Sequence, residues 1–239
     1  KKTGKEIVKN ISFNMEENTC LGILGESGSG KSMTCKSILG ILKENLEANG
    51  EIIFGGRNLL TLKKEESKDI RGKEICMILQ NPMTSFDPLY TIGNQLLETF
   101  LEHLNINRDE AYKLAVESLE KMRLKDIEEV LKKYPHELSG GQLQRVCIAR
   151  AISTKPKFIM LDEAVSSLDI STQVEILNLL QELKKSYSLS YIFVTHDLLT
   201  ITYICDSVIF FKDGKIEEEI SDIENLKNIK KDYSRKLLN

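Results

Sequence analysis

Apolar residues alternate with polar ones at Ile11, Phe13 and Met15, the period of a half-buried strand. Short apolar stretches at Leu21 to Leu24, Glu51 to Phe54, Ile75 to Leu79, Phe158 to Leu161, Tyr191 to Val194 and Ser207 to Phe211 predict further strands. Helical spacing separates them: Ile38, Leu39 and Leu42, then Ile92 to about Tyr134, then a helix through Ile148, then Val174, Leu177 and Leu180. Asn107, followed by Glu110, is a capping pair that opens a helix through Leu114, Val116 and Leu119. The alternation of helix and strand on either side of the helical block predicts an α/β fold, with a largely parallel sheet covered by helices and a helical subdomain inserted in the middle. Lys212-Asp213-Gly214-Lys215 is a hairpin turn signal, and there is no internal repeat or low-complexity tract.

With 239 residues and 41% hydrophobic content, the chain can bury a full core as one domain, or as one domain with an insertion. A formal net charge of -3 argues against binding nucleic acid through a broad basic surface. No apolar run approaches the ~20 residues that cross a bilayer, and the N-terminus lacks the apolar core of a secretory signal, so any membrane part is expected in other chains. Cys20, Cys35, Cys76, Cys147 and Cys205 are odd in number and unpaired in spacing, which predicts buried thiols of a cytosolic protein. Lys1 is not methionine, so the sequence is expected to begin inside a longer chain.

Gly25, Glu26, Ser27, Gly28, Ser29, Gly30, Lys31 and Ser32 form a phosphate-binding P-loop pattern between a buried strand and a helix. The glycines let backbone N–H groups turn inward to phosphate oxygens, Lys31 reaches the β- and γ-phosphates, and the Ser32 hydroxyl ligates Mg²⁺. Glu26 is expected to face solvent, because such a loop works through its amides. Phe158-Ile159-Met160-Leu161 ends in Asp162 and Glu163, which in a P-loop protein suit a Mg²⁺ ligand and a base that polarises the attacking water. Read alone, Ser139 is a helix-capping serine before glycines, His196 an ordinary histidine, His103 and His136 structural, and Lys63-Lys64-Glu65-Glu66 a solvated helical face.

Leu138-Ser139-Gly140-Gly141-Gln142, together with the P-loop and the Asp162-Glu163 strand, resembles the signature of the ATP-binding cassette ATPases, and the resemblance covers essentially the whole chain. It implies a P-loop NTPase fold with a mainly parallel core sheet, an antiparallel N-terminal β-subdomain and an inserted helical subdomain. Residues 1–91 and 155–239 would form the nucleotide-binding core and residues 92–154 the helical part. It implies ATP and Mg²⁺ as cofactors, Gln80 as the glutamine loop that senses Mg²⁺ and the attacking water, Ser166-Ser167-Leu168-Asp169 as the D-loop, and His196 as the switch histidine. Ser139, Gly140, Gly141, Gln142 and Asp169 would complete nucleotide binding, the signature meeting the γ-phosphate held by another subunit.

Gln80-Asn81-Pro82-Met83-Thr84-Ser85-Phe86-Asp87-Pro88-Leu89-Tyr90-Thr91-Ile92-Gly93, Tyr134-Pro135-His136-Glu137 and Tyr233-Ser234-Arg235-Lys236-Leu237-Leu238 resemble the peptide and nickel importer subfamily. The length of the sequence is expected to fit the shorter nickel members rather than the extended oligopeptide ones. The implied protein is an ATPase subunit at the cytoplasmic face of the cell membrane, working with a second ATPase subunit, homologous or identical, two transmembrane permeases and, indirectly, an extracytoplasmic solute-binding protein. Cargo would be nickel, a nickel chelate, or di- or oligopeptides; nucleic acid is not expected as a partner. Soluble cassette ATPases of DNA repair or translation, and a module that no longer hydrolyses, are the alternatives. Ala164-Val165 departs from the commoner Pro-Thr, and the adenine-stacking aromatic would lie near or before Lys1, where the chain has none. The apolar loop of Phe86, Leu89 and Tyr90 is expected to dock the permease, unless Phe86 and Leu89 pack beneath the helical block.

Overall fold

A computed structural model describes Gly4 and residues 6–237. Leu238 and Lys1, with the neighbouring adenine-stacking position, fall outside the described residues. In chain order the elements are β1 (Cys20–Leu24), α1 (Lys31–Leu39), β2 (Ile53–Phe54), β3 (Arg57–Asn58), α2 (Lys64–Ile70), β4 (Ile75–Leu79), α3 (Ile92–His103), α4 (Arg108–Lys121), α5 (Ile127–Lys132), α6 (Gly140–Ser153), β5 (Phe158–Asp162), α7 (Ile170–Tyr187), β6 (Ser190–Thr195), α8 (Leu198–Ile204), β7 (Ser207–Lys212), β8 (Lys215–Ile220) and α9 (Asp232–Lys236). They divide between two compact units, residues 1–71 with 190–239, and residues 72–189.

In the first unit the strands run in the order β6-β1-β7-β8. Both neighbours of β1 are parallel to it, and every residue of β1 is buried, so the continuous apolar run Cys20 to Leu24 is explained by burial on both faces. β8 returns antiparallel through a turn in which Asp213 and Gly214 both take positive φ, the conformation that matches strand twist in a two-residue hairpin. A bulge between Phe210 and Phe211 shifts the β7–β8 register just before that turn. β2 and β3 form a separate antiparallel pair. The strand expected over Glu51 to Phe54 is thus shortened to two residues. The one expected at Ile11, Phe13 and Met15 is not formed: the segment keeps its alternating burial but joins no ladder among the described residues. Side-chain alternation gives a face to bury and supplies no backbone partner.

In the second unit β4 and β5 pair in parallel, from Ile75 opposite Phe158 to Leu79 opposite Asp162. Asn107 and Glu110 form the expected capping box at the start of α4, with both reciprocal bonds present at 3.0 and 2.8 Å. The core combines Leu96 and Phe100 of α3, Ala111, Ala115 and Leu119 of α4, and Val146 and Ile148 of α6, all fully buried or nearly so. Each such large side chain contributes roughly 1.5–3 kcal/mol on removal from water. Leu177 and Leu180 of α7 are buried, whereas Val174 on the same helix is 44% exposed. All five cysteines are buried thiols outside any disulfide, and burial pushes those of Cys76 and Cys147 up to about 11. No helix among the described residues is long and apolar enough to cross a membrane.

Candidate functional site

In the first unit the register of β1 against β6 sets Leu24 opposite Thr195, so the loop from Gly25 and the residue His196 leave the sheet side by side at strand carboxyl ends. Gly25 admits no side chain: a Cβ there would lie 2.2 Å from the Phe211 carbonyl oxygen. Gly28 and Gly30 take φ of 80° and 112°, which curls the loop into the first turn of α1. Gly30 is the N-cap of α1 and brings no side-chain bond. Lys31 is 4% exposed, and its Nζ donates to the carbonyls of Gly25 and Glu26, each at 2.8 Å. Ser29 Oγ is buried with no hydrogen-bond partner. A buried hydroxyl with no hydrogen-bond partner, a buried ammonium and a glycine-curled turn into α1 are features with which a loop of this kind can receive a phosphate chain. Ser32, half-buried in the first turn, offers a hydroxyl oxygen of the kind Mg²⁺ accepts beside phosphate oxygens. Glu26 and Ser27 are exposed.

His196 is exposed on the turn between β6 and α8. The Asp197 carboxylate fixes that turn by accepting from the amides of Leu199 at 3.0 Å and Thr200 at 3.1 Å, and Asp197 N–H donates to Thr195 Oγ1 at 3.0 Å.

The second unit repeats the device. Leu79 lies opposite Asp162, so Gln80 and Glu163 leave adjacent parallel strands at the same end. Asp162 is 7% exposed, and Glu163 is half-buried with φ of 51°, left-handed backbone that is strained for this residue type. The strain turns the chain sharply away after β5, and Ser166 N–H closes the turn on the Glu163 carbonyl at 3.1 Å. Ser167 Oγ donates to the Gln80 carbonyl at 3.2 Å, tying the segment after Glu163 to the glutamine loop. Ala164 and Val165 are each 1% exposed, so the departure from Pro-Thr falls on buried packing positions.

Ser139 caps α6, accepting from Gln142 N–H at 3.2 Å, while Ser139 N–H donates to Gln142 Oε1 at 3.0 Å. Gly141 lets α6 start close against α7, since a Cβ there would meet Thr172 Cγ2 at 2.6 Å. Gly140, the first of the 14 residues of α6, is exposed. Asp169 caps α7 through Thr172 N–H at 3.0 Å and Ser171 Oγ at 2.6 Å, and these bonds hold its carboxyl far below the usual carboxylate range.

Phe86 is buried beneath the Arg150 guanidinium, which sits 4.3 Å from its ring centroid. The expectation that it belongs to a docking face is corrected: it is core. Leu89 and Tyr90 are 78% and 55% exposed. Their loop is braced by the buried Gln95 amide, which accepts from Asp87 N–H at 2.8 Å and donates to the carbonyls of Asp87 and Tyr90 at 2.9 Å. His136 stacks on Tyr134, and the His103 ring covers Gly72. One contact of the P-loop was not foreseen: Tyr233 of α9 bonds to Glu26. The Tyr-Ser-Arg-Lys-Leu-Leu pattern marked that residue without indicating what it touches.

Residues 8–166 match the family described as ABC transporter. The chain belongs to that family. It is 42% identical over 217 residues to the metal-staphylopine import system ATP-binding protein CntD of Staphylococcus aureus, covering 91% of this chain and 80% of that one. It is 39% identical over 211 residues to the oligopeptide transport ATP-binding protein OppD of Escherichia coli, covering 88% of this chain and 63% of that one. The dimeric post-hydrolysis structure of the ATP-binding cassette MJ0796, bound to ADP and Pi, superposes with a TM-score of 0.80 at 30% identity, covering 91% of this chain and 92% of that one. This ABC chain is an ATPase that uses ATP with Mg²⁺.

Removing the buried ammonium should weaken nucleotide binding itself. Lys31→Ala is expected to raise the dissociation constant of a fluorescent ATP analogue by at least about tenfold in equilibrium titration. Unchanged affinity would mean that residues 25–32 do not hold the phosphates.

Proposed function

We propose that this ABC ATPase energises an importer for small metal chelates or peptides, binding MgATP and driving separate permease chains through closure and hydrolysis. Support for the cargo class comes from the import proteins CntD and OppD, and the alternative of DNA repair or translation has no counterpart among those relatives. Nickel, as a chelate, is the favoured metal. The observation that carries the catalytic reading is the strained Glu163 following the buried Asp162, with Gln80 beside it on the parallel neighbour.

The residue roles combine their chemistry with the pattern of the family. The P-loop amides and Lys31 would bind the phosphates, and Ser32, Asp162 and Gln80 each offer an oxygen that would suit Mg²⁺, which would neutralise phosphate charge. Glu163, half-buried, polarises the attacking water, and His196 attends the γ-phosphate. Ser139 and Gly141, at the positive end of α6, serve a nucleotide on a second ATPase subunit, with Gly140, Gln142 and the D-loop residue Asp169 as its companions. Glu163→Gln is expected to keep ATP affinity within about twofold and to lower turnover by at least about a hundredfold, measured with the partner chains present. Near-normal turnover would remove Glu163 from the water-activating role.

The permease would grip the braced loop that displays Leu89 and Tyr90. A groove of about 430 Å³ begins at Thr91 and is lined by Leu97, Arg108, Tyr112, Glu128 and Lys132, an apolar floor with charges of both signs that suits a short amphipathic cytoplasmic helix. The double variant Leu89→Asp and Tyr90→Asp should bind ATP normally and fail to co-purify with, or to drive, the permeases. Normal assembly and transport would place the docking surface elsewhere.

A further inference from the structure

The C-terminal element that the sequence marks at Tyr233 reaches the phosphate-binding loop from outside. Tyr233 Oη accepts from Glu26 N–H at 3.3 Å and donates to the Phe211 carbonyl at 3.1 Å. Its ring lies under Lys212 Nζ, 4.8 Å from the centroid. Burial raises the phenol above its ordinary value, so the hydroxyl keeps its proton and can donate and accept at once. The helix carrying it is itself anchored. Glu218 on β8 accepts from Lys230 N–H at 2.7 Å and Lys231 N–H at 3.2 Å, directly before α9, and Arg235 Nε donates to the Ile229 carbonyl at 3.1 Å.

The peptide between Gly25 and Glu26 is planar and trans, so its carbonyl and its N–H point in opposite directions and cannot turn independently. Its carbonyl accepts from Lys31 Nζ at 2.8 Å, and its N–H donates to Tyr233. Holding one end therefore aims the other. Side chain, peptide plane and ammonium are thus joined by two successive hydrogen bonds, from α9 through the loop wall to the cation. The close approach of Gly25 to the Phe211 carbonyl places the second partner of the hydroxyl against the same peptide.

We propose that Tyr233 is a positioning residue for the phosphate-binding lysine, acting through the Gly25–Glu26 peptide and making ATP affinity depend on the docking of α9. The proposal rests on the assignment of residues 25–32 as the phosphate cradle. No bond to nucleotide is involved, and the hydroxyl acts by removing one rotation from the loop wall.

Tyr233→Phe keeps the ring over Lys212 and removes only the hydroxyl. In the full chain assayed with its partners, the dissociation constant for a fluorescent ATP analogue and the KM for MgATP should rise about three- to tenfold, with kcat held within about twofold. Hydrogen exchange at the Glu26 amide should quicken while the thermal midpoint stays in place. Unchanged affinity overturns the proposal, as does a fall in thermal midpoint or in kcat without a rise in KM. Lys31→Ala, titrated in parallel, separates the two levels. If that variant loses affinity and Tyr233→Phe does not, the brace alone is wrong; if neither loses affinity, the cradle fails and the brace with it.

Discussion

A buried ammonium is costly unless oxygen dipoles surround it, and the arrangement around the P-loop follows from meeting that cost for Lys31. The carbonyls of Gly25 and Glu26 turn toward Nζ. They can do so because Gly25 lies against the Phe211 carbonyl with no room for a Cβ, and because Gly28 and Gly30 take positive φ. The loop is therefore a consequence of packing against β7 as much as of its own glycines. The Ser29 hydroxyl, buried without a partner, shows the direction in which the loop is specialised, since polar atoms are left unsatisfied where a ligand supplies the missing partner.

The same economy of construction recurs in each unit. Two adjacent parallel strands end in register, Leu24 with Thr195 and Leu79 with Asp162, and the next residue on each strand carries the chemistry. Parallel pairing requires a crossover between the strands, so residues far apart in sequence leave the sheet together. Loops that follow are held by side-chain caps, Asp197 for α8, Ser139 for α6 and Asp169 for α7. Ser139 and Asp169 thus combine a structural duty, visible in their hydrogen bonds, with the nucleotide role proposed for them.

Buried strands were legible in the sequence because a continuous apolar run has few other uses: β4 matches its expected bounds, and β5, β6 and β7 extend theirs by one or two residues. The capping pair at Asn107 was legible for the same reason, a local pattern with a local cause. Positions decided by a distant backbone were not. Ile11 to Met15 has the alternation of a strand and no ladder, and Phe86 reads as an exposed loop aromatic until Arg150 is found over its ring. The left-handed backbone at Glu163 and the bond from Tyr233 to Glu26 depend on packing that no short window of sequence contains. In the candidate site, the residue types and their order were readable, while their mutual bracing was not.

In the proposed arrangement, nucleotide is held by the P-loop of one ATPase subunit and completed by the signature helix of another. The most direct test is the specific ATPase activity of the purified chain as its concentration is raised, with mass followed by sedimentation in MgATP. A specific activity that climbs with concentration, or on adding the partner ATPase, and tracks formation of the dimer is the predicted result. A specific activity that is constant with concentration, carried by a species of monomeric mass throughout, would contradict it.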